Sequence, residues 1–97
     1  MAFYIITYEL KAADHDHTKL YEQLFSWRAN HLQNSVWLAT LDLSASDIRN
    51  ALIDRMHPED TVCVVEIKSG SAWATRNARP DGASFLKTAI QQATVQP

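Results

Sequence analysis

The most regular pattern in the chain is an apolar segment near the N-terminus, "FYIITYEL". With a period of two, the segment has two faces, and both are mostly apolar. One face holds Phe3, Ile5, Thr7 and Glu9, and the other holds Tyr4, Ile6 and Tyr8. This pattern predicts a central strand over residues 2–9 that is covered on both faces. It also places a carboxylate, that of Glu9, at the end of an apolar strand.

Helices and further strands alternate along the rest of the chain. After the polar stretch "KAADHDH", Leu20, Leu24 and Trp27 fall on one face of a helix. The segment "SASDIRNALIDRM" predicts a second helix, which Ser44 caps together with Asp47 three residues on. The predicted elements after the first strand are a helix over 19–29, a very short strand or turn before Asn34, a strand over 36–41, a helix over 44–56, a strand over 61–68, a loop over 70–82 and a helix over 83–93.

This order of elements predicts one α+β domain over residues 1–97 with a ferredoxin-like fold. Two strand–helix–strand units in succession give an antiparallel βαββαβ sheet with two helices on one face, to which a C-terminal helix is added. Two helices cover one face of the sheet, whereas the first strand is apolar on both faces. The pattern therefore also predicts a homodimer, in which the second face is buried against a partner.

Composition favours an ordinary cytoplasmic protein. Apolar residues make up 46% of the 97 residues and charged residues 21%, and no apolar run approaches the ~20 residues of a membrane helix. A signal peptide is not expected, since no basic stretch precedes an apolar segment at the N-terminus. One cysteine cannot form an internal disulfide, and the apolar run around Cys63 predicts a core position. Two glycines exclude a phosphate-binding or dinucleotide-binding glycine loop.

Charge is distributed unevenly along the chain. Residues 1–67 contain five Lys or Arg and ten Asp or Glu. Residues 68–97 contain four Lys or Arg and one Asp. A basic segment on an acidic body favours an anionic partner. Within that segment, "GSAWATRNAR" places Trp73 among arginines, and an aromatic ring with Arg76 and Arg79 is typical of stacking on bases and binding phosphates. Alternatively, Trp73 packs against the partner subunit of a dimer.

Two groups of residues are candidate metal ligands. A carboxylate at the end of a central strand, such as Glu9, can hold Mg²⁺, and a dimer axis would pair two copies of it. The alternative is that Glu9 makes a capping or interface hydrogen bond. The stretch "DHDH", residues 14–17, contains imidazoles and carboxylates, but adjacent residues in one loop rarely converge on one ion. We therefore interpret that stretch as the solvated start of a helix.

Four segments together resemble a known family. The strand "YIITYEL", the strand "NSVWLATLD", the helix "SASDIRNALIDRM" and the strand "PEDTVCVVEI" are similar to the CRISPR-associated Cas-two family and its SinR-like relatives. In that family a strand ending in Tyr-Asp precedes a helix and a Ser-Val-aromatic strand, and an acidic turn precedes the last strand. Virulence-associated ribonuclease toxins resemble the same pattern more distantly.

The resemblance implies a ferredoxin-like homodimer that associates with DNA or RNA. Some family members are nucleases dependent on Mg²⁺ or Mn²⁺, and the family's acidic residue at the strand end corresponds to Glu9, which would be both the catalytic residue and the metal ligand. This chain has Glu where the family has Asp, so the carboxylate lies one methylene further out. Two alternatives follow: a non-catalytic structural or assembly module that binds through Trp73, Arg76 and Arg79, or a ribonuclease of a toxin–antitoxin system.

Overall fold

A computed structural model describes residues 1–11 and 17–90 of the chain. The elements found there are, in chain order, β1 (Ala2–Glu9), α1 (Thr18–Ser26), β2 (Asn30–Gln33), β3 (Val36–Leu41), α2 (Ala45–Ile53), β4 (Thr61–Ile67) and α3 (Pro80–Ala89). The strands form one antiparallel sheet in the spatial order β2–β3–β1–β4. The protein is therefore a small α+β structure in which β1 is a central strand, as predicted.

The central strand β1 pairs with β3 on one side and with β4 on the other. Ile5 of β1 lies opposite Leu38 of β3 on one side and opposite Val65 of β4 on the other. Since every pairing is antiparallel, β1 and β2 run in the same direction with β3 between them. This arrangement is compatible with a ferredoxin-like fold. The predicted bounds of β1 and β3 are confirmed, and β2 is the short strand expected before Asn34.

The first face of the sheet packs against α1 and α2. Its core contains Tyr4, Ile6 and Tyr8 of β1, which are at most 5% exposed. The helices contribute the apolar stripes that the sequence pattern marks: Leu20 and Leu24 from α1, and Ile48 and Leu52 from α2. The N-cap of α2 is also confirmed, because the Ser44 hydroxyl accepts a hydrogen bond of 3.1 Å from the Asp47 amide.

The second face of the sheet packs against α3. Phe85, Leu86 and Ile90 form a separate core with Leu38, and the ring of Phe85 meets that of Phe3 edge-on at 6.2 Å. The expectation that helices cover only one face was therefore wrong. The helix begins at Pro80 rather than residue 83, because proline suits the first turn of a helix. The predicted end at residue 93 lies outside the described residues.

A glycine allows α3 to approach β2 closely. A Cβ atom on Gly82 would lie 2.5 Å from the Leu32 Cα atom and 2.8 Å from the His31 carbonyl oxygen, distances that no packed side chain tolerates. In addition, the backbone N–H of Arg79 donates to the Leu32 carbonyl at 2.9 Å. These two contacts fix the start of α3 against the β2 edge of the sheet.

Helices α1 and α2 are shorter than predicted. The first ends at Ser26 rather than at residue 29, because Arg28 adopts a left-handed conformation with φ of 57°. Its N–H donates to Phe25, and the next N–H, that of Ala29, donates to Leu24, which is a Schellman motif. The second helix ends at Ile53 rather than at residue 56.

The predicted core position of Cys63 was wrong. This residue is exposed, because β4 is an edge strand and α3 packs on β2 and β3 at the opposite side of the sheet. Cys63 lies opposite Thr7 on the second face, and its neighbour on that face, Val65, is 50% exposed. A β-branched pattern shows that a strand is apolar, but it does not show whether that strand lies at the centre or at the edge of a sheet.

Candidate functional site

A cluster of aromatic rings lies on the first face, at the end of the sheet where β1 finishes and the β2–β3 hairpin turns. His31 and Trp37 are cross-strand neighbours, and their rings are stacked with centroids 4.2 Å apart and planes 5° apart. The ring of Phe25, from α1, meets Trp37 edge-on at 5.7 Å. Phe25 is nevertheless 64% exposed, whereas Trp37 is 4% exposed. Trp37 therefore supports an aromatic ring that projects toward solvent.

A hydrogen bond holds Trp37 in place. Its indole Nε1–H donates to the hydroxyl of Tyr8 at 3.0 Å, and Tyr21 contributes to the raised pKa of that hydroxyl. Burial raises the pKa of Tyr8 to about 12, although the Trp37 hydrogen bond acts in the opposite direction. Tyr8 is thus a neutral phenol at physiological pH. Its hydroxyl orients the indole.

His31 favours its neutral form at this site. Burial of the imidazole lowers its pKa from the ordinary value of 6.5, and the positive charge of Arg79 lowers it further, while a hydrogen bond to the backbone of Gln33 acts in the opposite direction. Among the described residues, its Nε2 atom is buried without a hydrogen-bond partner. This imidazole is the ring that stacks on Trp37.

Arg79 reaches the same region from the start of α3. Its guanidinium Nη2 donates to the side-chain oxygen of Asn34 at 3.3 Å, and the side chain remains exposed. Asn34 and Ser35 form the turn between β2 and β3, and Ser35 has a left-handed φ of 62°. The Ser35 carbonyl accepts a hydrogen bond from the Tyr8 amide at 3.1 Å, which joins the turn to the central strand.

Two concavities border the ring cluster and share Phe25, His31 and Trp37 in their walls. The first, of about 520 Å³, is lined in addition by Tyr8, Tyr21, Asn34 and Ser35. The second, of about 560 Å³, is lined in addition by Ala29, Arg79, Pro80 and Asp81. We call the two together the aromatic cleft. Their volumes fall in the range of small-molecule sites.

Of the three residues predicted to bind nucleic acid, one lines the aromatic cleft. Arg79 lies in the aromatic cleft, whereas Arg76 is exposed in the loop before α3 and Trp73 lines neither concavity. The Trp73 indole packs on the second-face core and donates from Nε1 to the Ile90 carbonyl at 2.8 Å. The structure therefore places Arg79 and Trp73 in separate settings.

The predicted metal ligand Glu9 is exposed at the end of β1. Its carboxylate lies 3.5 Å from the Lys11 ammonium, and the two side chains are 70% and 52% exposed. The backbone N–H of Lys11 donates to the Asp60 carboxylate at 2.8 Å. Within residues 1–11 and 17–90, no group of three or more His, Cys, Asp or Glu side chains is arranged to hold a metal ion. Residues 14–16 of "DHDH" lie outside the described residues.

Sequence reasoning did not identify Phe25, Tyr21 or His31 as site residues. A signal was available on α1: Tyr21 and Phe25 are four residues apart and follow the buried Leu20 and Leu24 by one position each. Two large aromatic residues at that offset form a second, exposed stripe beside the core stripe. His31 belongs to the site because it stacks on Trp37 of the neighbouring strand, and the sequence alone does not show which strands pair.

Comparison of the chain with protein-family models and with curated proteins finds no match. None of the helices in the described part of the chain has both the length and the apolarity needed to cross a bilayer.

Proposed function

We propose that this protein binds nucleic acid at the aromatic cleft, as a ferredoxin-like, non-catalytic module related in fold to the Cas-two family. The observation that carries the proposal is the presence of an exposed arginine, Arg79, and an exposed aromatic ring, Phe25, in the wall of one concavity. Arginine binds phosphate oxygens through several N–H groups, and aromatic rings stack on bases.

Electrostatics at the cleft favour a weak interaction. The second concavity contains the positive charge of Arg79 and the negative charge of Asp81, and the whole chain has a net charge of −2. Because Asp81 opposes a bound phosphate, the affinity should be modest and should depend on few phosphate contacts. We therefore expect a dissociation constant on the order of 10⁻⁴–10⁻⁶ M at physiological salt, as for other binding dominated by phosphate contacts.

The test compares two arginines of the same segment. Fluorescence anisotropy of a labelled ten-nucleotide strand measures the affinity of the wild type, Arg79→Ala and Arg76→Ala at several salt concentrations. Arg79→Ala should weaken binding and lower the log–log salt slope by about 0.7, the value of one phosphate contact on a single strand. Arg76→Ala is the matched control, since it removes the same charge from outside the cleft. Equal effects of the two substitutions would contradict binding at the cleft.

A metal-dependent nuclease is the second candidate, and the exposure of Glu9 favours it. The Glu9 carboxylate is 70% exposed and is paired with Lys11 alone among the described residues; two copies that faced each other across a dimer axis would supply ligands that one described chain does not group together. In this case Mg²⁺ or Mn²⁺ would activate a water molecule. The proposal depends on homodimer formation, for which the exposed edge strand β4 offers a surface.

A further inference from the structure

We propose that the aromatic cleft selects single-stranded nucleic acid by taking an unpaired base onto the ring of Phe25, within the first concavity. This inference rests on the proposed function and names its substrate class. Arginine and phosphate alone would bind a duplex as well as a single strand. A base can reach the ring only when its face is free, because the bases of a duplex are stacked on each other.

The ring of Phe25 has the properties of a stacking platform. Its 64% exposure leaves a face available, and its contact with Trp37 is edge-on, with planes at 80°. Trp37 is in turn held by the His31 stack and by the Tyr8 hydroxyl. Because its neighbour Trp37 is held in place, the Phe25 ring should lose little conformational entropy when a base stacks on it.

The first concavity suits a base in size and chemistry. Its volume of about 520 Å³ is within the range of sites that bury small ligands. Tyr21, one helical turn before Phe25, is 37% exposed and adds a second ring to the same wall. Asn34 and Ser35, which line the same concavity, provide an amide and a hydroxyl for the edge of a base.

Arg79 lies where it can bind the phosphate of a nucleotide whose base is in the first concavity. Its guanidinium is hydrogen-bonded to Asn34, a residue of the first concavity, while Arg79 itself lines the second. A nucleotide whose base occupies the first concavity therefore has a cation beside it for its phosphate. The two concavities share the Phe25 ring, so the base and phosphate subsites adjoin.

An abasic strand separates the contribution of base stacking to the affinity from that of phosphate binding. Anisotropy titrations compare a labelled oligothymidine ten-mer, a ten-mer of abasic sites with the same number of phosphates, and a ten-base-pair duplex, with oligouridine included to compare RNA with DNA. The wild type should bind oligothymidine at least about tenfold more tightly than the abasic strand, because base stacking on an aromatic side chain contributes that much or more. The duplex should bind no more tightly than the abasic strand.

Variants of the platform complete the test. Phe25→Ala should remove the preference for oligothymidine, and Phe25→Trp should retain it, since a larger ring still stacks. The control is Ile53→Ala on α2, where a large side chain of similar exposure, 49%, lies away from the cleft. Equal binding of all strands by the wild type, with Arg79→Ala weakening all of them, would overturn this inference and leave the proposed function intact. The absence of binding to any strand would overturn both.

Discussion

The imidazole of His31 lies parallel to the indole of Trp37, with the ring centroids 4.2 Å apart. This contact joins the edge strand β2 to β3 under the aromatic cleft, and Arg79 lies beside it. Burial and the charge of Arg79 both favour the neutral imidazole. Folding is therefore coupled to the protonation state of His31.

Acid should weaken the fold through His31. The pKa of this group is lowered on folding, so the unfolded chain binds the proton more readily. Its contribution to stability is present above the ordinary value of 6.5 and is lost as the pH falls below that value. In urea denaturation between pH 7.5 and pH 5, His31→Phe keeps a stacked ring without a titrating group, and its free energy of unfolding should fall less than that of the wild type. Parallel pH profiles would contradict this role.

Gly82→Ala should destabilise the protein, although alanine normally stabilises a helix by about 0.5–1 kcal/mol relative to glycine. The new Cβ atom would lie 2.5 Å from the Leu32 Cα atom, so α3 must move away from β2. We expect a loss of about 1–3 kcal/mol, the usual cost of overpacking, measured by chemical denaturation. Ser84→Ala, at an exposed position of the same helix, is the control and should change little. A stabilising Gly82→Ala would show that α3 does not pack as described.

A homodimer, if it forms through β4, should be broken by a charge on that strand. Val65 is 50% exposed on an edge strand, and a lysine there disfavours both apolar contact and strand pairing with a second copy. Sedimentation at micromolar concentration should give a dimer mass for the wild type and a monomer mass for Val65→Lys. Ile53→Lys changes a residue of 49% exposure on α2 and should remain dimeric. A dimeric Val65→Lys would place the interface elsewhere.

Glu9 can be tested as a metal ligand by melting temperature. If two copies of Glu9 face each other, Mn²⁺ should raise the melting temperature of the wild type but not that of Glu9→Gln, and Glu9→Gln should melt higher without metal because a repulsion is removed. Glu66→Gln is a close control, since Glu66, like Glu9, is paired with a lysine two residues on. Identical melting of the wild type with and without Mn²⁺ would remove the nuclease candidate.

The sequence predicts the helices and strands of this fold well, but it does not predict which face of the sheet each helix covers. Period-two patterns gave the bounds of β1 and β3, and the Leu20–Leu24 stripe identified the buried face of α1. An amphipathic pattern shows which side of a helix is apolar, but it does not show which face of the sheet that side covers. For this reason the pattern around Phe85 predicted a third helix without indicating that it packs on the second face.

The candidate site was only partly predictable for the same reason. Arg79 was identified from local composition, since an arginine near an aromatic residue is a recognisable pattern. The aromatic ring that lines a concavity with Arg79 is Phe25, whereas Trp73 packs on the second face. That Phe25 of α1 and Arg79 at the start of α3 line one concavity depends on the topology of the sheet and on the close approach of α3 to β2 that Gly82 permits.

The most direct test of binding at the aromatic cleft uses the indole N–H signals of the three tryptophans in a nuclear magnetic resonance titration with oligothymidine. The Trp37 Nε1–H is hydrogen-bonded to Tyr8 in the wall of the first concavity, whereas the Trp73 Nε1–H is bonded to Ile90 on the other face of the sheet. We predict that the Trp37 signal shifts as the strand is added and that the Trp73 signal stays in place. A shift of Trp73 with an unchanged Trp37 would contradict the account and place nucleic acid at the loop before α3.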